Sequence, residues 1–320
     1  MGICAFLFPG QASQYPGMGR DLCDKYPASR AAFEEADRAL GFSLSKICFE
    51  GTEEDLKRTE ITQPAVVAVS IAALRALAAR GVTPAYVAGH SLGEYSALVA
   101  AGSLDFSDAV RLVHRRGKLM QEAVPHGVGA MAAILGLSPA QVDEACRRAA
   151  QGEIVAPANL NSPEQTVISG HATAVKRAVE FASQSGAKRA VILPVSAPFH
   201  CELMMPAQKR LEPDLRAANF NALRYPLITN VDAEAITTAD EARDALIRQV
   251  TQPVRWMDSI HEMIEAGVAM FVEVGPGKVL SGLLRQIDRS VRASNVEDAA
   301  SLQVTLDRIA QARSETPENP

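Results

Sequence analysis

Nine residues constrain this chain more than any others: Tyr86-Val87-Ala88-Gly89-His90-Ser91-Leu92-Gly93-Glu94. Tyr86 to Ala88 is a short apolar run behind Pro84 and reads as a strand. Gly89 to Gly93 fits G-x-S-x-G, and Glu94 to Ala101 is helix-forming and closes on Gly102. A serine on so tight a strand-to-helix turn has strained backbone angles and crowded neighbours, so the flanking positions must lack side chains. Such an elbow lifts Ser91 Oγ clear of the sheet and leaves the next N–H groups at a helix N-terminus, where they can stabilise an oxyanion. Two glycines around a serine also recur by chance in alanine- and glycine-rich chains. The strand before the motif and the helix after it make Ser91 a candidate nucleophile.

Composition limits what that serine can serve. With 320 residues, 48% of them hydrophobic, the chain can bury a full core and is expected to form one large domain and a smaller one. A net charge of −5, with no basic run interleaved with aromatics, argues against nucleic acid as a partner. The five cysteines, Cys4, Cys23, Cys48, Cys146 and Cys201, are odd in number, scattered and without C-x-x-C spacing, so neither a disulfide framework nor a metal site is expected. The run Ile3 to Phe8 is too short for a signal peptide, Phe6 breaks the myristoylation pattern, and no apolar stretch approaches a membrane span. A soluble cytoplasmic protein without a membrane partner is the expectation.

From the start, Ile3 to Phe8 reads as a buried parallel strand running into Pro9-Gly10-Gln11-Ala12-Ser13-Gln14. That turn lies where an open α/β sheet places ligand groups, although a plain βα turn has the same look. Thr62 is expected to cap an apolar helix from Ala65 to Ala79, with Pro64 in its first turn. A further helix, Asp105 to Ala123, sets Arg111, Arg115, Lys118 and Glu122 on one face and Ala109, Val113 and Met120 on the other. Arg116 falls on the apolar face. An inward arginine either pairs with an internal acid, snorkels outward, or awaits an anionic ligand, for which its planar fork suits a carboxylate.

From about Gly129 the elements shorten. Met131 to Leu137, Glu153 to Ala158, Thr166 to Ser169 and Arg189 to Val195 read as strands, and Pro139 to Ala150 and Ala174 to Gln184 as helices. Asn159 to Pro163 is read as a connection between two of the strands. The order βαββαβ is that of a ferredoxin-like small domain inserted at 126–195. The core is then residues 1–125 and 196–310, with 311–320 a disordered tail.

Ser196-Ala197-Pro198-Phe199-His200-Cys201 follows at a strand end, a favoured place for a catalytic base. Among the six histidines His200 is the best candidate, since His90 should diverge from its neighbour Ser91, His114 and His261 sit among charged helical residues, and His126 and His171 read as exposed loop positions. A lone loop histidine is otherwise simply solvated. Gln249 joins the apolar stripe Ala242, Ala245, Leu246 at i+7, another polar group facing inward. Gly275-Pro276-Gly277-Lys278 is no P-loop, because Val272 and Val279 occupy positions that need Gly and Ser or Thr. Gly127-Val128-Gly129-Ala130-Met131-Ala132 precedes a strand instead of following one, which discards a dinucleotide site.

Taken together and in order, Phe8 to Gln14, Thr62-Gln63-Pro64, Gly89 to Glu94, Arg116-Gly117-Lys118, Asn161-Ser162-Pro163, Ser196 to His200 and Glu273 to Gly277 resemble the malonyl-CoA:acyl-carrier-protein transacylase family of fatty acid synthesis, over roughly residues 4 to 310. Ala12 departs from the family's usual glycine and Cys201 from its common serine. The resemblance implies an α/β-hydrolase-like core with a mostly parallel sheet plus the ferredoxin-like small domain. It implies that Ser91 attacks the malonyl thioester with His200 as general base, that the N–H groups of Gln11 and Leu92 hold the oxyanion, and that Arg116 grips the malonyl carboxylate. The main-chain carbonyl of Gln249 would orient His200 in place of an acidic residue, and Phe199 would leave less room for a branched acyl group. Malonyl-CoA and acyl carrier protein are the implied partners, as substrates. No cofactor and no metal are called for, and a monomer is expected.

Two other classes fit parts of the pattern. A serine esterase or thioesterase shares the elbow but needs an acid between Ser and His in chain order, and none sits in a recognisable motif. A non-enzymatic docking module of a larger synthase would not need both Ser91 and His200. An acyltransferase serving polyketide or malonate metabolism would read alike. Lys188, Arg189, Lys278 and Arg285 are the cations expected to meet an acidic carrier.

Overall fold

Residues 3–195 and 197–315 are described by a computed structural model. Its strands are β1 (Ile3–Phe8), β2 (Tyr86–Gly89), β3 (Gly129–Leu135), β4 (Val155–Ser162), β5 (Gln165–His171), β6 (Arg189–Ile192), β7 (Leu227–Ile228), β8 (Ala235–Ile236), β9 (Val268–Val274) and β10 (Arg292–Val296). Six of them form one sheet in the order β10-β9-β1-β2-β7-β8, parallel except where β8 pairs antiparallel with β7. The unbroken apolar run of β1, and that of β9 apart from the buried Glu273, follow from this, because strands covered on both faces have no solvent side to mark with polar residues. Side chains from one face of β1, such as Phe6 and Phe8, join a core with the helix Thr59–Ala78, and those from the other, Ala5 and Leu7, pack with Trp256, Ile260 and Phe271.

A second, antiparallel sheet has the order β4-β5-β3-β6, with the helices Pro139–Ala150 and Ala172–Gln184 sharing its core. β4 runs through Asn159 to Ser162, residues expected to form a connection. There it is tied to the large sheet's side by backbone hydrogen bonds from Leu160 N to Val254 O at 2.9 Å and from Val254 N to Ala158 O at 2.8 Å. β6 stops at Ile192, three residues short of the expected end.

The helix Thr59–Ala78 needs two corrections. It begins before Thr62, which lies inside it, and Pro64 is interior as well. An interior proline leaves the carbonyl four residues back without its N–H partner, and here that carbonyl, Glu60 O, accepts from His114 Nδ1 at 2.7 Å. The helix is also long and apolar enough to cross a membrane, contrary to the expectation that no stretch approaches that length. Of its most apolar 18-residue window, 83% is buried inside the protein. A helix enclosed by other elements is hydrophobic all round for the same reason as one in lipid. The helix Ala299–Glu315 carries ordered structure through residues 311–315 of the expected tail. Residues 316–320 lie outside the described residues.

Candidate active site

The elbow forms because its two glycines are sterically obligatory. A Cβ on Gly89 would stand 2.0 Å from the Gly93 carbonyl, and one on Gly93 would stand 2.2 Å from Phe8 O. Ser91 itself has φ 52°, a left-handed conformation that non-glycine residues rarely adopt. Asn230, two residues beyond β7, holds this strained turn from both sides. Its Oδ1 accepts from Ser91 N at 2.7 Å and its Nδ2 donates to Gly89 O at 2.7 Å.

His200 reaches the same point from the segment after β6. Its Nε2 lies 2.7 Å from Ser91 Oγ and its Nδ1 2.8 Å from the main-chain oxygen of Gln249. A carbonyl only accepts, so Nδ1 carries the ring proton and Nε2 presents a lone pair to the serine hydroxyl. Burial, reinforced by the nearby Arg116 charge, holds His200 far below the usual histidine range, at about 3. The imidazole is therefore neutral and able to accept a proton at physiological pH.

Arg116 comes from the helix Phe106–Glu122, which can lie against Thr59–Ala78 because Gly117 sits on the Thr59 carbonyl, where a Cβ would meet the oxygen at 2.6 Å. That approach delivers the guanidinium to the site with 1% of the residue exposed. Nη1 donates to Gln63 Oε1 at 2.8 Å, and Nη2 to Ser91 Oγ at 3.1 Å and to Gln249 Oε1 at 3.0 Å. Nε has no partner, and no Asp or Glu among the described residues forms an ion pair with it. Two of the readings of this arginine are thereby removed: it neither snorkels to solvent nor pairs directly with an internal acid.

Ser91, His200 and Arg116 line a cavity of about 260 Å³ with Gln11, Leu92 and Phe199. The N–H groups of Gln11 and Leu92 donate to no acceptor among the described residues, so both remain available at the cavity wall. The small sheet forms one side of the cavity with the apolar Met131, Ala133 and Val167 and the polar Asn159, Asn161 and Gln165, while Leu193 and Val195 follow β6. His90 lines it too, although its side chain turns from Ser91 to meet Asn161 Oδ1 at 2.9 Å. Ser196 lies outside the described residues. Among the described residues no group of three or more His, Cys, Asp or Glu side chains could hold a metal ion. A half-buried serine with a neutral histidine, two N–H groups without acceptors among the described residues and a fixed cation are chemically able to move a negatively charged acyl group.

The acyl transferase domain matches residues 5–308 of this sequence. The chain belongs to the acyl transferase family. Members similar to it include the malonyl CoA-acyl carrier protein transacylase of Escherichia coli K12, 49% identical across 95% of this chain and 98% of that one. That of Bacillus subtilis is 46% identical across 97% and 98%. Among solved structures, an acyl carrier protein S-malonyltransferase from Vibrio cholerae superposes with a TM-score of 0.92 at 48% identity, covering 94% of this chain and 99% of that one. A malonyl-transacylase in complex with its type II PKS acyl-carrier protein superposes with a TM-score of 0.93 at 46% identity, covering 96% and 99%.

Within this acyl transferase, sequence patterns did not single out Asn230 or Glu94 as site residues, and they gave Gln63 no role. Glu94 begins the elbow helix and is 1% exposed; its Oε2 accepts from Asn230 N at 2.9 Å and Gln249 Nε2 at 3.1 Å. A signal existed for Gln63, a buried polar side chain next to the apolar stretch that begins at Pro64. Asn230 sits in Thr229-Asn230-Val231-Asp232, a stretch with no periodicity to mark it.

Proposed function

We propose that this acyl transferase moves a malonyl group from malonyl-CoA to the phosphopantetheine thiol of acyl carrier protein through a malonyl ester on Ser91. The observation that carries the substrate class is Arg116, a buried cation with no protein carboxylate at ion-pair distance, 3.1 Å from the candidate nucleophile. Removing such a charge from water is favourable only when an anion completes it.

Ser91 Oγ attacks the thioester carbon while its proton passes to His200 Nε2, and the carbonyl oxygen gathers charge between the N–H groups of Gln11 and Leu92. Collapse breaks the C–S bond, and His200 returns the proton to the CoA thiolate. The carrier thiol then repeats the sequence in reverse on the ester, giving ping-pong kinetics. The Gln249 carbonyl fixes the histidine tautomer, Phe199 narrows the pocket against branched acyl groups, and the reaction calls for no cofactor or metal. The parallel sheet with its serine elbow supports reading the larger part, 1–125 and 196–310, as α/β-hydrolase-like. The order β3, helix, β4, β5, helix, β6 supports a ferredoxin-like unit near 126–195. The enzyme works as a cytoplasmic monomer.

An esterase reading is disfavoured because His200 Nδ1 meets a main-chain carbonyl where a hydrolase triad has a carboxylate. A polyketide carrier is a second reading of the acceptor, favoured by the likeness to the transacylase solved with a type II PKS carrier. Intact mass spectrometry after mixing with malonyl-CoA tests the core of the proposal. One malonyl group is expected on the wild type and none on Ser91→Ala; an unchanged wild-type mass would refute it.

A further inference from the structure

Behind the catalytic pair lies a buried acid that the mechanism above does not use. Gln249 stands between two opposite charges: its Oε1 accepts from Arg116 Nη2 at 3.0 Å and its Nε2 donates to Glu94 Oε2 at 3.1 Å. The order cation, amide, carboxylate makes Glu94 the internal counter-charge of Arg116, one side chain removed. Both are sealed from solvent, with 1% of each residue exposed.

Resting on the malonyl-transfer reading, we propose that Glu94 determines specificity, by taking up a proton when a malonyl carboxylate reaches Arg116 and setting how strongly the charged acyl group is preferred over an uncharged one. Two carboxylates served by one buried cation cannot both stay ionised cheaply, and the substrate's is the one in direct reach of the guanidinium. Burial has already raised Glu94 to about 7, despite the lowering effect of its two N–H donors and of Arg116. The other ionisable groups acting on it are Asp232, after β7, and its chain neighbour Tyr95, while Asn230 and Gln249 are neutral and His200 is held neutral. Protonation leaves the network intact, because Oε2 keeps both donors when the proton sits on Oε1. Glu94→Gln therefore imitates the protonated form.

The sign follows from linkage: a complex that binds one more proton than the free enzyme weakens as pH rises past the free carboxyl's pKa. Between about pH 7 and about pH 9 the malonyl-CoA to acetyl-CoA ratio of kcat/KM should fall severalfold, at most about tenfold per unit. His200 acts on both substrates alike and cancels in that ratio. Glu94→Gln should keep a high, flat ratio over the same range. In weakly buffered solution with a pH indicator, wild-type acylation at about pH 8 should take up more protons with malonyl-CoA than with acetyl-CoA, proton release by the CoA product being common to both. A wild-type ratio flat with pH, or equal proton uptake for the two donors, overturns the proposal even where Glu94→Gln does not fold. A slope that survives in folded Glu94→Gln also overturns it. Mass spectrometry keeps the two levels apart: a wild type that accepts no malonyl group refutes the function itself, whereas one that is malonylated with no pH-dependent ratio refutes only the role of Glu94.

Discussion

Arg116 Nη2 stands 3.1 Å from Ser91 Oγ, so the fixed cation and the proposed nucleophile are hydrogen-bonded neighbours. In a malonyl group the acyl carbon and the carboxylate carbon share a single methylene. An acyl group held on Ser91 can therefore meet Arg116 only when its second charge follows closely, and a longer dicarboxylate must bend or overshoot.

Arg116→Ala should reduce malonyl transfer by roughly 3–5 kcal/mol, about two to three and a half decades in kcat/KM, as expected for deleting half of a buried ion pair. Acetyl transfer should hold or improve, so selectivity inverts. Measured kcat/KM for both donors, with the thermal midpoint alongside, checks this. A parallel loss with a lowered midpoint would show that the arginine is structural.

The pH profile should carry the mark of a buried base. With His200 held at about 3, acetyl transfer should stay near its neutral rate well below the ordinary histidine pKa of about 6.5. The stability sign is that of a depressed base: the unfolded chain binds the proton first, so the contribution is complete above about 6.5 and is lost as pH falls towards 3. Thermal midpoints that do not decline across that window would contradict it.

The proposed ester intermediate requires CoA to leave before the carrier thiol reacts, so steady-state kinetics should give parallel lines in double-reciprocal plots with malonyl-CoA and carrier varied. Intersecting lines would require both substrates bound together and rule out the ester intermediate.

Gly93→Ala places a methyl 2.2 Å from Phe8 O. Backbone must move, so a loss of about 3 kcal/mol or more is expected, at the upper end of overpacking effects. Chemical denaturation measures it, and a near-neutral result would mean that the elbow relaxes freely.

Carrier docking should depend on local cations despite the net charge of −5. Lys188 pairs with Glu164 and Lys278 with Glu297, but both lysines remain well exposed, and such surface pairs hold weakly. Charge reversal at Lys188, Arg189, Lys278 or Arg285 should slow transfer to carrier more than acylation by malonyl-CoA, most at low salt. Equal effects on the two half-reactions would argue against this surface.

Local steric rules made the elbow, the strand β1 and the inward Arg116 legible in the sequence, because each is encoded within a few residues by glycine placement or apolar periodicity. Thr59–Ala78 was legible as a helix but not in its true start: Thr62 bonds back to Arg58 O instead of capping, and His114 satisfies the carbonyl that Pro64 leaves free. The two-residue strands β7 and β8 carry no period to read, and β10 went unread as well. What only the tertiary structure decided is the meeting of distant groups: Ser91 with His200 across 109 positions and Gln249 with Glu94 across 155. Sequence spacing can turn a side chain inward. Which charge or hydrogen-bonding group it then faces depends on the packing of other elements, and that packing leaves Arg116 buried beside Ser91 with no carboxylate in direct contact.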